Sequence, residues 1–271
     1  MRDSRSDLRE KPTTARFIKI LGERNTRSGY LERLLQRNLQ IECLRGGIPK
    51  PLKKLFPKSE LARDLYFRAT RGQNLGWKNA MAPTREVLGR ARRNPGDVLF
   101  LCCLTKNPYS WLVSLYRHPY HAKRAYSSFE DFLAEPWETV DREHAPLRFA
   151  NPIEMWNQKN ASYLALDEYA RVRRIRYEDL FEDPFLLLDR LCQEHGFAQP
   201  GSHFENIDSA TKGHDRGKAF ADYRDDHLKE RWRGELDSSS VRFINQRLSE
   251  IVMSRWDYVS IDPNAFPATA N

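Results

Sequence analysis

Residues 22–29, GERNTRSG, combine glycines, hydroxyl side chains and arginines in one short polar turn. The apolar segment FIKIL at 17–21 precedes this turn, and a segment with helical periodicity follows it. The apolar face of that segment consists of Tyr30, Leu31, Leu34, Leu35 and Leu39. A strand that leads through such a turn into a helix binds anions, because backbone N–H groups and the helix dipole favour negative charge there. The turn therefore predicts a site for phosphate or sulfate groups.

The turn departs from the Walker A pattern of ATPases and GTPases, G-x-x-x-x-G-K-[ST]. If Gly22 were its first glycine, the pattern would require Gly, Lys and Ser or Thr at positions 27, 28 and 29. The chain has Arg27, Ser28 and Gly29 there. The phosphate lysine and the magnesium-binding hydroxyl are thus out of place, which disfavours an ordinary ATPase or GTPase. A nucleotide kinase on a related fold stays open as an alternative.

The charge of the chain favours an anionic partner, since its formal net charge is +8 and its pI is about 9.3. Lysine and arginine alternate with aspartate and glutamate along the chain, so local anion-binding pockets are favoured over a basic nucleic-acid-binding arm. No helix-turn-helix, zinc-finger or RNP signature is present in the sequence. A basic nucleic-acid-binding protein is therefore a lesser alternative, and we expect no nucleic-acid partner.

Strand patterns at 17–21, 98–104 and 172–177 are each followed by a helical pattern. This order predicts β-α units, and hence an α/β fold with a central parallel sheet flanked by helices. We expect a single domain over 16–260, with an N-terminal tail at 1–15 and a C-terminal tail at 261–271. Segments 44–75 and 119–150 have little periodicity and are interpreted as insertions over the strand ends that form the acceptor site. Residues 220–256 are again mostly helical.

The four cysteines, Cys43, Cys102, Cys103 and Cys192, include no C-x-x-C pair and no cluster at zinc spacing. A reducing compartment and a cytoplasmic location fit this pattern. No apolar run reaches the length of a membrane span, and the N-terminus lacks the apolar core of a signal peptide.

Three separated segments resemble the sulfotransferases that use 3′-phosphoadenosine 5′-phosphosulfate (PAPS). The turn at 22–29 resembles their 5′-phosphosulfate loop. The segment LTKNPYSWLVSLYRHPYH is similar to their 3′-phosphate segment, with Lys106, Asn107, Pro108 and Ser114 at the family spacing. The segment IRYEDLFEDPFLLLDRL resembles their Tyr-Glu-Asp-Leu segment. The three segments extend from residue 17 to about residue 195 in the order that the family has.

The resemblance implies a P-loop-NTPase-like sulfotransferase fold and transfer of a sulfuryl group from PAPS to an acceptor hydroxyl or amine, leaving adenosine 3′,5′-bisphosphate (PAP). It implies no metal requirement. The acceptor is open: carbohydrate, lipid, peptide and small-metabolite groups are all compatible. Two anion-binding positions, one at each end of the nucleoside, would select PAPS over ATP. The implied binding residues are Arg24, Asn25, Thr26, Arg27, Ser28, Gly29 and Tyr30 on the turn, Lys106 and Ser114, Tyr177 at the adenine, and Lys212, Arg216 and Lys218 on a late basic loop.

Two features of the resemblance leave alternatives open. The family usually has glycine at the position of Arg27 when the helix starts are aligned, whereas a shifted alignment matches the 27–29 triplet and shortens the loop. Lys78 in GWKNAMAP matches a family lysine at a strand end, and we expect it to act in catalysis together with Arg24. A histidine usually follows that lysine, but Asn79 and Ala80 stand here. His121 is the candidate replacement base, with His118 of the same HPYH segment as a second possibility. A deprotonated amine acceptor, or PAPS binding without turnover, are the alternatives.

Overall fold

The structure is a computed structural model that describes residues 16–39, 41–57, 59–91, 98–121, 125–168, 170–197, 203–208 and 217–268. The predicted N-terminal tail at 1–15 lies outside these ranges.

A parallel sheet forms the centre of the molecule, in the strand order β2-β1-β3-β6 within the described residues. Its strands are β1 (Arg16–Gly22), β2 (Glu42–Cys43), β3 (Val98–Thr105) and β6 (Arg171–Arg176). Strand β3 pairs in parallel with β1 on one side and with β6 on the other. Its run of apolar residues suits a strand buried on both faces. The predicted α/β fold with a central parallel sheet is therefore confirmed, as are the three predicted strands.

Helices cover both faces of the sheet, because alternate strand side chains point to opposite sides. The described helices are α1 (Ser28–Asn38), α2 (Lys50–Leu55), α3 (Glu60–Asn74), α4 (Arg85–Arg90), α5 (Pro108–Arg117), α6 (Phe129–Ala134), α7 (Pro152–Leu164), α8 (Asp179–Glu182), α9 (Pro184–His195), α10 (Phe220–Leu228), α11 (Ser238–Asn245) and α12 (Glu250–Arg255). Ile18 and Ile20 of β1 pack towards α1 and α9. Phe17 and Leu21 face the larger core formed with α5, α7, α11 and α12.

Helix α5 begins as the sequence predicts, with Pro108 at its first position. Proline is tolerated there because the first N–H groups of a helix have no intrahelical partner. The Asn107 side chain caps the helix and accepts a hydrogen bond from the backbone N–H of Tyr109 at 3.1 Å. This cap fixes the start of α5 directly after β3, at the carboxyl edge of the sheet.

The two segments interpreted as insertions contain more regular structure than their sequences indicate. Segment 44–75 holds α2 and the 15-residue helix α3. The Ser59 hydroxyl caps α3 and accepts a hydrogen bond from the Ala62 N–H at 3.1 Å. Helix α3 was missed because its apolar stripe is broken: Leu61 and Leu65 are exposed, whereas Phe67 is fully buried. Segment 119–150 holds α6 and a two-stranded antiparallel sheet, β4 (Trp137–Glu138) with β5 (Arg148–Phe149).

The C-terminal part of the chain packs against the larger core. Residues 220–255 are mostly helical, as the sequence predicts. Helix α11 binds the segment that follows them: Ser238 donates its N–H to the Pro267 carbonyl, and the Asn245 amide donates to the Ile261 carbonyl, each at 2.9 Å. Residues 261–267 therefore lie along α11. Among the described residues, no helix is long and apolar enough to cross a membrane.

Candidate functional site: a basic cavity at the carboxyl edge of the sheet

The polar turn after β1 has a defined backbone conformation. The Thr26 hydroxyl donates to the Glu23 carbonyl at 2.6 Å, which closes the turn from inside. Arg27 is the N-cap residue of α1 and is left-handed, with φ 60°. Glycine adopts this conformation without strain, whereas other residues do so less readily. Arg27 therefore stands at a position whose backbone conformation favours glycine.

Lys106 and Ser114 meet as the family spacing implies. The Lys106 ammonium donates to the Ser114 hydroxyl at 2.8 Å, and that hydroxyl donates to the Ser110 carbonyl at 2.8 Å. The ammonium also lies 4.5 Å from the centre of the Tyr177 ring. Because Lys106 directly follows β3 and Ser114 lies in the second turn of α5, the strand-to-helix connection holds them together. The arrangement presents a cation and a hydroxyl at one point.

A cavity of about 340 Å³ brings several of the predicted residues together. Those that line it are Asn25, Arg27, Lys106, Ser114, Tyr177 and Lys218. Sequence reasoning missed other lining residues, which are Ser110, Arg117, Tyr223, His227, Arg231 and Trp232. Most of the missed residues lie on α10 and on the 3-10 helix Arg231–Glu235. The only signal for them in the sequence was their position directly after the late basic loop.

The cavity is rich in positive charge. Its one lining carboxylate, among the described residues, is Asp226, which lies 2.8 Å from Arg231 and 3.9 Å from Lys218. The Arg27 guanidinium stacks 3.7 Å from the centre of the Tyr223 ring, on the same side. Burial raises the pKa of Tyr177 to about 12, so its hydroxyl stays protonated at neutral pH. A cavity of this composition suits a ligand with more than one negative charge.

The other predicted turn residues have different surroundings. Thr26 and Ser28 are buried beneath the turn. Tyr30 packs into the core, where its ring stacks on Phe181 and its hydroxyl donates to Asn206 at 2.6 Å. Lys212 and Arg216 lie outside the described residues.

Lys78 lies on the opposite side of the same turn. It is part of a turn rather than a strand end, but its backbone bridges two segments: the Gly22 N–H donates to its carbonyl at 2.9 Å, and its own N–H donates to the Gly46 carbonyl at 3.1 Å. A Cβ atom placed on Gly29 would lie 3.9 Å from the Lys78 ammonium nitrogen, so the ammonium lies beside the first turn of α1. Burial lowers the pKa of Lys78 from its ordinary value, and Glu32 opposes this shift.

Gly46 is the residue that allows Lys78 to approach. A Cβ atom on Gly46 would lie 2.6 Å from Cβ of Lys78, whereas a Cβ atom on the adjacent Gly47 meets nothing within 4 Å. We expect Gly46→Ala to lower the free energy of unfolding by about 1–3 kcal/mol through overpacking. Gly47→Ala is the matched control and should change it by less than about 0.5 kcal/mol. Urea denaturation of both variants measures this; equal effects would contradict the close approach.

Asn79, which stands where the family usually has histidine, supports the end of β1. Its side chain is buried, and its amide donates to the Gly22 carbonyl. The next residue is anchored as well, because the Tyr163 hydroxyl donates to the Ala80 carbonyl at 2.9 Å. Asn79 therefore fixes the backbone of the lysine-bearing turn in this structure.

A buried ion-pair cluster lies beneath this turn. The Lys159 ammonium, which is fully buried, lies 2.8 Å from Glu23 and 2.5 Å from Glu143 and donates to the Asn79 carbonyl at 3.0 Å. Burial lowers the pKa of Lys159, but the two carboxylates more than offset it, so its pKa is raised overall. Sequence reasoning missed this cluster because its members are far apart in the chain. No local pattern marks any of them.

Arg24 and His121 lie together, away from the basic cavity. The Arg24 guanidinium stacks 3.9 Å from the centre of the Tyr120 ring and 5.2 Å from that of Trp77. Burial and the nearby Arg24 charge lower the pKa of His121 to about 4, so the imidazole is neutral at neutral pH. The turn thus separates Asn25 and Arg27, which line the cavity, from Arg24, which does not.

Glu178 joins the second and third segments of the resemblance. One of its carboxylate oxygens accepts the Asn107 N–H at 3.1 Å, and the other accepts the Tyr258 hydroxyl at 2.7 Å. The backbone N–H of Tyr177 donates to the Thr105 carbonyl at 2.8 Å. These bonds hold Tyr177 beside Lys106, and they explain the acidic residue after the tyrosine as a structural link.

Comparison with known proteins gives a limited likeness to two solved sulfotransferases. The sulfotransferase from Alicyclobacillus acidocaldarius is 15% identical, with 89% of this chain and 96% of that chain covered at a TM-score of 0.42. The sulfotransferase domain from the curacin biosynthetic pathway is 13% identical, with 92% and 99% covered at a TM-score of 0.41. No protein-family model and no curated protein matches the chain. Function must therefore be inferred from the site itself.

Proposed function

We propose that this protein is a sulfotransferase that moves the sulfuryl group of PAPS to an acceptor hydroxyl or amine. The observation that carries the proposal is that Arg27, at the start of α1, lines the same basic cavity as the Lys106–Ser114 pair. A helix N-terminus is suited to the phosphosulfate, and the lysine-serine pair is suited to a separate 3′-phosphate. The two anion-binding positions correspond to the two ends of the donor.

The residues present fit such a donor. Gly22 permits the tight exit from β1, because a Cβ atom there would lie 2.7 Å from the Leu104 carbonyl oxygen. Arg27, Lys106, Ser114 and Lys218 would hold the phosphate groups, and Tyr177 supplies an aromatic surface beside them. The carboxylate of Asp226 is already paired with two cations of the cavity, so it adds little repulsion towards an anion.

Bound PAPS supplies an activated sulfuryl group for in-line transfer. The Lys78 ammonium, which lies beside the first turn of α1, would stabilise negative charge that develops on the leaving nucleotide. His121 remains the candidate base: its lowered pKa keeps it neutral and able to accept a proton at neutral pH. Arg24 stacks on Tyr120, the residue before His121, and we assign it to the acceptor side of the turn rather than to the nucleotide cavity.

One observation favours a second candidate, a protein that binds PAPS or PAP without turnover. The Asn79 amide is committed to the Gly22 carbonyl, so the position after Lys78 offers no base. A nucleotide kinase has no corresponding support, because Arg27 and Ser28 occupy the positions where a Walker A loop has its second glycine and its lysine. Turnover of PAPS with an acceptor separates the first two candidates.

Binding of PAP tests the nucleotide site directly. We expect PAP to bind and stabilise the protein, and Lys106→Ala to weaken binding about 10- to 100-fold, since one charge-assisted contact contributes roughly 1.5–3 kcal/mol. Isothermal titration calorimetry measures the dissociation constants. Ser114→Ala is a milder variant of the same contact, and Lys229→Ala removes an exposed lysine outside the cavity as a matched control.

ATP with magnesium and AMP serve as ligand controls for this experiment. Stabilisation by PAP alone, lost in the Lys106 and Ser114 variants, is the expected result. Stabilisation by ATP with magnesium but not by PAP would overturn the proposal and support a kinase.

A further inference from the structure

A second cavity of about 340 Å³ lies on the other side of the lysine-bearing turn, between α3, α4 and the 3-10 helix Asp141–Glu143. Its polar lining consists of Arg68, Arg71, Arg90, Asp141 and His144. None of these residues lines the nucleotide cavity. Three guanidinium groups thus face one carboxylate, that of Asp141.

Two of the three arginines have acidic partners. Arg68 lies 3.0 Å from Asp141, and Arg90 pairs with Glu86 one turn earlier in α4. Both of these pairs are largely exposed, so each contributes little to stability. Neither pair involves the third arginine, Arg71.

Arg71 is the central residue of the cavity. It lies in the last turn of α3, and one of its terminal nitrogens lies 3.2 Å from Nδ1 of His144. Among the described residues, no carboxylate lies within 4.0 Å of its guanidinium. Burial lowers the pKa of Arg71, and only the more distant Asp141 opposes this shift. A half-buried guanidinium whose nearest side-chain partner is a neutral imidazole is an unusual use of a cation.

Two polar nitrogens at this cavity are buried and lack a hydrogen-bond partner. They are Nε of Arg71 and Nε2 of His144. Buried donors are nearly always paired in native proteins, so unpaired donors beside a cavity are available to a ligand. Gly76, with φ 78°, passes close to both side chains: a Cβ atom there would lie 3.6 Å from Cγ of Arg71 and 4.0 Å from Nε2 of His144. The cavity therefore adjoins the segment that carries Lys78.

We propose that this second cavity is an oxyanion-binding site, which takes a carboxylate or sulfate group through Arg71, His144 and Arg90. A planar carboxylate or a tetrahedral sulfate accepts hydrogen bonds from the guanidinium fork and from an imidazole N–H, here that at Nε2 of His144, whose Nδ1 faces the Arg71 guanidinium. The site is separate from the two phosphate positions of the nucleotide cavity. If the proposed sulfotransferase activity holds, the group belongs to the acceptor, whose anionic part is then held beside the Lys78 turn.

The imidazole of His144 provides a site-specific probe, because it is one of seven histidines and His144→Gln assigns its resonance. In the unbound protein, burial and then Arg71 lower the pKa of His144, with Asp141, Asp64 and Arg68 as the other charged neighbours. An oxyanion that binds there raises this pKa. We expect ¹⁵N-histidine spectra to show a saturable shift of the His144 signal on titration with sodium sulfate or sodium acetate, at ionic strength matched with sodium chloride.

For whichever anion gives a saturable shift, Arg71→Gln should raise the dissociation constant about tenfold or more. This is the effect expected for the loss of one charge-assisted contact. Arg85→Gln is the control: it removes the same charge from α4, but Arg85 is exposed and does not line the cavity. Saturation by sulfate alone or acetate alone assigns the preferred group. A His144 signal that fails to saturate with either anion, or that responds equally in both variants, overturns the proposal. PAP binding at the nucleotide cavity is measured separately, so either proposal can fail alone.

Discussion

Replacing Lys159 with methionine should lower the free energy of unfolding by about 3–5 kcal/mol, the range observed when one partner of a buried ion pair is removed. The side chain is fully buried between Glu23 and Glu143, so its loss leaves two carboxylates together without their ion-pair partner. Methionine preserves most of the volume, which confines the effect to charge and hydrogen bonding. Urea denaturation with Lys229→Met as the exposed control measures the difference.

The pH dependence of the Lys159 variant has a definite sign. Burial raises the pKa of Glu143, and Lys159 opposes this shift in the native protein. Without the ammonium, the carboxyl pKa rises further, so the native state takes up a proton more readily than the unfolded state. The stability lost in Lys159→Met should therefore be largest near neutral pH and shrink as the pH falls.

Neutralising the carboxylates tests the same explanation. Lys159→Met combined with Glu143→Gln should lose less stability than the single variant, because one uncompensated charge is gone. A loss that is independent of pH and of the second substitution would show that packing, and not the ion pairs, makes Lys159 necessary.

Replacing Lys78 with methionine should lower kcat by about 10²–10³, the effect of removing one group that stabilises charge in a transition state. The ammonium lies beside Gly29 in the first turn of α1, outside the basic cavity where the nucleotide phosphates are proposed to bind. Binding of PAP should therefore change far less than turnover. The measurement is release of PAP from PAPS, with an acceptor found by screening or with water, alongside calorimetric binding of PAP.

A pH profile separates a catalytic role of Lys78 from a structural one. Because burial lowers its pKa, the charged form is lost as the pH rises through that lowered value, and kcat/KM for PAPS should fall on the alkaline side. Lys78→Arg keeps its charge and should lose this alkaline fall. If Lys78→Met weakens PAP binding as much as it lowers kcat, or if Lys78→Arg retains the fall, the residue is not the group that stabilises the leaving nucleotide.

The turn after β1 divides the site into two sides. Asn25 and Arg27 line the basic cavity with Lys106, whereas Arg24 points to Trp77 and Tyr120. The backbone is left-handed at Asn25 and again at Arg27, on either side of Thr26, and these two turns of the chain produce the division. In the proposed enzyme, the donor nucleotide occupies the first side and the acceptor approaches from the second.

Three strands of the central sheet and the Lys106–Ser114 pair of the candidate site could be predicted from the sequence, whereas the two-residue strand β2 could not. Apolar runs at 17–21 and 98–104 specify buried strands, and the spacing from Lys106 to Ser114 spans one strand-to-helix connection. Such features depend on neighbours within about ten residues, where backbone geometry fixes which side chains meet. The Lys106–Ser114 contact, which the family resemblance implied, is of this local kind.

The other half of the candidate site depends on contacts between residues that are far apart in the chain. Lys159 meets Glu23, and Arg71 meets His144, across 136 and 73 positions of the chain. Helix α3, which carries Arg71, shows a broken apolar stripe, and Asn79 turns out to bind the Gly22 carbonyl rather than replace a base. These contacts depend on how the segments after β1, α3 and α7 pack over the sheet edge. Packing of that kind leaves no periodicity in the sequence, because each residue needs only its distant partner and not a neighbour of a particular type.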